Sequence, residues 1–199
     1  MSVARIAAVV LAAGASTRMG RNKLLLPVDG MPMARRAAQV AIDAGAAPVV
    51  VVVGNEHHAV REALDGLECS FVINPEFTGP TSTSLHAGLR ALPDDVDGVV
   101  ILLADMVHVV ASMVRTLINS TRDDASLSVS RFGDVLAPPL LFRRALWPEL
   151  LAWHGEGCGK AVVRAHQHEA KFHDWPIEAL RDVDTPDDYR ALVTPPATS

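Results

Sequence analysis

Between Leu11 and Lys23 the chain reads LAAGASTRMGRNK, a run of small residues closed by cations. Small side chains at Ala12, Ala13, Gly14 and Ala15 let a backbone approach a ligand closely and turn N–H groups toward oxyanions. The Ser16 hydroxyl can donate a hydrogen bond, the Arg18 guanidinium can hold a phosphate in bidentate fashion, and Lys23 adds a point charge. These groups suit a triphosphate. The spacing is not that of a Walker loop, and Ser16 stands where a G-x-G-x-x-G run needs its second glycine. The same residues would also serve an ordinary Gly/Ser connection bearing two solvated cations.

Two more blocks carry polar groups at strand ends. Residues 74–89 read NPEFTGPTSTSLHAGL, a turn and a hydroxyl-rich stretch that open a helix. Ser82 or Thr83 can cap that helix, and its N-terminus favours anions. Capping accounts for one of the four hydroxyls at Thr81 to Ser84. Asp105 follows the apolar run VVILLA and so sits at the edge where a buried strand ends. Mg²⁺ takes carboxylate oxygen together with substrate phosphate oxygens, and Asp105 suits that role as well as it suits a turn or N-cap. Farther on, DVDTPDD spans residues 182–188. Thr185 as N-cap, Pro186 at N1 and two acids in the first turn start a helix; that explanation leaves Asp182 and Asp184 unused.

The stretch LAAGASTRMGRNKLLLP, Leu11 to Pro27, resembles the signature LAAGxSxRMGxxKLLLP of the MobA-like nucleotidyltransferases, which include the molybdenum-cofactor cytidylyl- and guanylyltransferases. The resemblance implies that this loop binds base, ribose and triphosphate. Leu11, Ala12, Ala13, Gly14, Ser16, Arg18, Met19, Gly20 and Lys23 are then nucleotide-binding residues. The guanylyl branch usually reads LAGG and the cytidylyl branch LAAG, so Ala13 points to CTP over GTP. Asn74, Gly79, Ser82 and Ser84 match the family element NPxxxxGxxxSLxxGL, which meets base and ribose. Asp105 matches LADMP, with Val107 in place of proline, and Asp184 matches the second metal-facing carboxylate. Arg18, Lys23 and Asp105 become the catalytic residues, with Mg²⁺ on Asp105 and Asp184.

On the acceptor side the match weakens. Ala137-Pro138-Pro139 occupies the family's G-H-P stretch, expected ahead of a strand, and Lys160 stands where G-D-x-G-A-R has arginine. The implied acceptor is molybdopterin or its metal-loaded form, with transient contact to molybdoenzyme maturation proteins. A sugar- or alditol-phosphate acceptor is the alternative, as is a non-catalytic nucleotide-binding maturation factor.

Positioning such a loop requires a sheet. Val/Ile/Leu runs at 5–11, 48–53, 68–73 and 98–103 alternate with helical segments at 32–44, 56–64 and 82–92. The expected fold is therefore α/β: a Rossmann-like, doubly wound, mostly parallel sheet in a three-layer sandwich, with ligands at its carboxyl edge. Later segments read as a helix at 112–120, a strand at 125–130, a strand running into a helix at 140–153, a helix at 159–166, a strand at 168–173 and a helix at 186–192. With 199 residues, the chain fits one domain, 1–106 being a nucleotide half, 107–193 an acceptor half and 194–199 a frayed tail. A net charge of −5 argues against a nucleic-acid partner. The first apolar run is shorter than the ~20 residues that span a bilayer, so no membrane partner is expected. Two cysteines, Cys69 and Cys158, without metal spacing, suit a reducing cytoplasm, with Cys69 in the core. A zinc site needs ligands that converge in space, and nothing in the sequence brings the histidines at 57, 58, 166, 168 and 173 together.

Overall fold

The computed structural model describes residues 4–194, apart from 15, 17, 18, 122–124 and 158. The proposed frayed tail thus falls almost wholly outside the described residues. A seven-stranded sheet carries the chain, in the order β5-β4-β1-β6-β8-β7-β9. Its strands are β1 (Ile6–Ala12), β4 (Val49–Val53), β5 (Ser70–Ile73), β6 (Gly98–Leu103), β7 (Leu127–Phe132), β8 (Val135–Arg143) and β9 (Ala170–Trp175). β1 pairs in parallel with β4 and β6, β4 with β5, and β7 with β9; β8 alone runs antiparallel, between β6 and β7.

The five valines of β4 and the IAAVVLA run of β1 are buried throughout, because both faces of these strands are covered. On one face α1 (Met33–Asp43), α2 (His57–Ala63) and α4 (Ala111–Ser120) pack Ala34, Ala38, Val60, Val114 and Leu117 against Ala8, Val10, Val51 and Val100. On the other, α3 (Thr81–Arg90), α5 (Trp147–Ala152) and α6 (Lys160–Ala165) pack Leu85, Leu89, Trp147, Leu150 and Val163 against Val9, Val52, Ile101 and Phe142. The three layers match the expected doubly wound class.

Several expected elements shift. The turn after Lys23–Leu25 forms a small antiparallel hairpin, β2 (Pro27–Val28) with β3 (Met31–Pro32), so Pro32 precedes α1 instead of occupying its first turn. β8 starts at Val135, five residues earlier than the apolar run suggests. Ala137-Pro138-Pro139 therefore lies inside a strand and not ahead of one. Proline gives no N–H to a ladder and is normally kept from central strands. Here the β7–β8 register shifts between Val129 and Arg131, while pairing with β6 begins only at Leu140, so the two prolines sit where the ladder is interrupted. Cys69 is half-buried and free, packed at the margin of the core. Among the described residues no helix is long and apolar enough to cross a membrane.

Candidate active site

β1 has β4 on one side and β6 on the other, and the chain reverses its direction of travel across the sheet at this point. Open α/β sheets bind ligands outside the carboxyl ends of strands at such a switch. A cavity of about 480 Å³ lies there, walled by Leu11, Ala13 and Gly14 at the end of β1, Leu103 and Asp105 at the end of β6, Phe77 and Gly79 in the turn before α3, and Thr81 and Ser84 in its first turn. A Cβ added to Gly14 would meet nothing within 4 Å, so this backbone faces open space.

Lys23 closes the floor. Asn22 caps its 3-10 turn by accepting from the Leu24 N–H and anchors the turn by donating to Asn55 O at 3.2 Å. Ser16, in a left-handed conformation at φ 51°, accepts from the Lys23 N–H at 3.1 Å. The ammonium then donates to Asp105 Oδ2 at 2.8 Å and to Asp184 Oδ1 at 2.7 Å. Burial pulls the Lys23 pKa down, but the charges and hydrogen bonds of Asp105 and Asp184 outweigh it, and the group stands above its ordinary value.

Asp184 arrives from the far end of the chain. Thr185 caps α7 (Pro186–Val193), accepting from the Asp188 N–H while the Asp188 side chain accepts from the Thr185 N–H. Residues 182–184 precede that cap, and Val183 is buried against Met19, Leu26, Met33 and Val107. Burying Val183 leaves its two acidic neighbours on the opposite side of an extended stretch. One carboxylate oxygen each from Asp105, Asp182 and Asp184 consequently lies within 4.8 Å of the other two. Burial, with Asp184 and Asp105 nearby, holds the Asp182 carboxyl above its ordinary pKa, against the pull of a backbone hydrogen bond and Lys23. An all-oxygen set with Asp105 on the cavity wall fits a hard divalent cation.

The structure thus brings Leu11, Ala13, Gly14, Lys23, Gly79, Ser84 and Asp105 to one wall, with Asp184 bonded to Lys23 behind it. Other anticipated residues lie elsewhere. Ala12 turns to the opposite face of the sheet and Met19 sits in the Val183 cluster. Gly20 is exposed. Asn74 donates to Thr83 and Ser84 hydroxyls at 2.9 and 2.8 Å and accepts from Glu76 N, so it organises the turn before α3. Ser82 does not cap α3. Its N–H donates to Gly155 O, and its hydroxyl accepts from Gly155 N. Arg18 lies outside the described residues. Leu24, Phe77, Thr78, Thr81, Leu103 and the third carboxylate, Asp182, were not anticipated. The alternating D-x-D spacing was the available signal for Asp182.

The protein is thus of the doubly wound α/β class, a seven-stranded, mostly parallel sheet with a lysine-bridged acidic cluster at its switch point. The chain belongs to the MobA-like NTP transferase domain family, whose model matches residues 8–170. It is 27% identical over 198 residues to the purine catabolism protein PucB of Bacillus subtilis, covering 91% of this chain and 92% of that protein. It is 31% identical over 134 residues to the bifunctional protein GlmU of Desulfotalea psychrophila, covering 65% of this chain and 39% of that longer protein. The chain thus spans well under half the length of the GlmU relatives it matches. The crystal structure of Rv0371c from Mycobacterium tuberculosis superposes with a TM-score of 0.83 at 28% identity, covering 96% of this chain and 99% of that one. A manganese complex of Rv0371C superposes with a TM-score of 0.76 at 29% identity, with 96% and 99% covered.

Proposed function

We propose that the protein transfers a nucleoside monophosphate, CMP by preference, from a nucleoside triphosphate to a phosphorylated small molecule of the molybdopterin type, with Mg²⁺ as cofactor. The observation that carries this reading is the Lys23 ammonium set between Asp105 and Asp184 at the floor of the switch-point cavity. A divalent ion would be held by Asp105 and Asp184 and would supply charge neutralisation at the phosphates.

The rest falls to the chain's own groups. Residues 1–106 form the nucleotide half, where Ala13 and Gly14 let the ligand approach the backbone and Thr81 and Ser84 offer hydroxyls from the opposite wall. An acceptor phosphate oxygen attacks the α-phosphorus, a new P–O bond forms, and the α–β bridging bond breaks to release pyrophosphate. A phosphate nucleophile is anionic at neutral pH, so no general base is required; catalysis is positioning and neutralisation of charge by Lys23 and, by family resemblance, Arg18. Residues 107–193 form the acceptor half, the part that would meet a molybdoenzyme maturation partner.

A second reading keeps the donor chemistry and replaces the acceptor by a sugar or alditol phosphate. The strand-embedded Ala137-Pro138-Pro139 and Lys160 favour it, because both depart from the family on the acceptor side. Pyrophosphate release with CTP or GTP and Mg²⁺, measured against molybdopterin and a panel of sugar and alditol phosphates, separates the two. Release from GTP in preference to CTP overturns the assignment resting on Ala13, and no release with any acceptor overturns catalysis.

A further inference from the structure

Lys23 stands where two demands compete. Its ammonium is within hydrogen-bonding distance of Asp105 Oδ2, 2.8 Å, and Asp184 Oδ1, 2.7 Å. The same two carboxylates, with Asp182, form the oxygen cluster suited to a divalent cation. Two cations drawing on one pair of carboxylates repel each other in so sheltered a place, where the Lys23 side chain is only 11% exposed. Lys23 is also a wall residue of the cavity, beside Gly14, Gly79 and Ser84. Its backbone is fixed by Ser16 and by the Asn22-capped turn. A flexible four-carbon stem on a fixed backbone can carry the ammonium from the carboxylates into the cavity by side-chain rotation alone.

We propose that Lys23 is an exchangeable internal counter-ion. It neutralises Asp105 and Asp184 when no divalent cation is bound, and yields that position to the cation by turning to the phosphates of the bound nucleotide. The inference rests on reading Asp105 and Asp184 as metal ligands and adds a linkage between the two ligands. A cation arriving alone displaces an ammonium that then lacks an anionic partner. With a triphosphate present, the displaced ammonium has one. Cation and nucleotide therefore favour each other, and the coupling is reciprocal. The sign is distinctive: Lys23 aids the combined complex while opposing the metal by itself.

The test is Mn²⁺ binding to the full chain, followed by electron paramagnetic resonance with and without the α,β-methylene analogue of CTP. Wild type is expected to bind Mn²⁺ weakly alone and more tightly with the analogue. Lys23→Met is expected to bind Mn²⁺ alone on the order of 10-fold more tightly than wild type, with little further gain from the analogue. Equal or weaker binding of Mn²⁺ alone by Lys23→Met overturns the exchange while leaving the metal site standing. Absence of Mn²⁺ binding by wild type in both conditions overturns the metal ligands and the exchange together. Should the variant not fold, the wild-type side chains decide. The chain has three lysines, Lys23, Lys160 and Lys171, so their ¹⁵Nζ resonances are readily separated. Saturating Mg²⁺ is expected to move the Lys23 signal and leave the other two in place; an unmoved Lys23 signal overturns the proposal.

Discussion

Ser82 and Gly155 are bonded in both directions: Ser82 N–H donates to Gly155 O at 3.2 Å, and Gly155 N–H donates to the Ser82 hydroxyl at 3.0 Å. Beside them the Thr81 N–H donates to Glu156 Oε1 at 3.3 Å. The first turn of α3 is therefore tied to the loop that enters α6. Ser82→Ala removes the acceptor of the half-buried Gly155 N–H, an expected cost of about 0.5–1.5 kcal/mol. Hydrogen exchange at Gly155 should quicken in the variant; an unchanged rate would show that this bond does not hold the loop.

Gly88 is where α3 crosses β1. A Cβ there would lie 2.4 Å from Val9 Cγ1 and 3.0 Å from Val52 Cγ2, both in fully buried strands. Gly88→Ala should destabilise by about 1–3 kcal/mol through overpacking, read as a lowered urea midpoint. Thr81 and Ser84 ride on the same helix, so the nucleotide KM is expected to rise as well. A variant as stable as wild type would mean the helix can retreat freely.

The α7 cap holds Asp184 next to its partner. Thr185→Ala should cost about 0.5–2 kcal/mol, and Thr185→Ser should recover most of it. Because Asp184 immediately precedes the cap, Mn²⁺ affinity should fall in the alanine variant and return in the serine variant. Stability and metal affinity that fail to move together would separate the cap from the site.

Lys23→Ala is expected to lower kcat for pyrophosphate release by about 10²–10³-fold, the loss typical of one removed transition-state donor. Lys23→Arg keeps the charge but not the point geometry and should recover only part of it. Wild-type turnover in the alanine variant would remove Lys23 from the chemistry.

His173 supplies a pH dependence. Burial, with Lys171 adding positive charge, holds its imidazole below the ordinary histidine pKa. Its Nε2 is buried with no hydrogen-bond partner, and it stacks on Trp175 at 6.2 Å between ring centroids. The unfolded chain then binds the proton more readily than the folded one. Stability from this group is complete above the unfolded pKa, about 6.5, and is lost as pH falls from there through the lower folded value. Thermal melts from pH 8 to pH 5 should show a shallower acid-side decline in His173→Gln than in wild type. Parallel curves would remove His173 from the acid sensitivity.

Much of this molecule is legible in its sequence because the signals are local. β-branched runs mark β1, β4 and β6, small residues mark the first loop, and a Thr-Pro-acid sequence marks the start of α7. Asp105 is placed at a strand end by the apolar run before it. Direction and register are different. β8 runs antiparallel and accommodates Pro138 and Pro139 because of where β6 and β7 pair with it, which no local pattern contains. The hydroxyl of Ser82 reads as a helix cap, yet tertiary packing sets Gly155 against it. Lys23 meets Asp105 across 82 positions and Asp184 across 161. Residue types determined that a cation and carboxylates exist; only the winding of the sheet, which gathers strand ends and returns the distant DVD segment over Val183, made them a site.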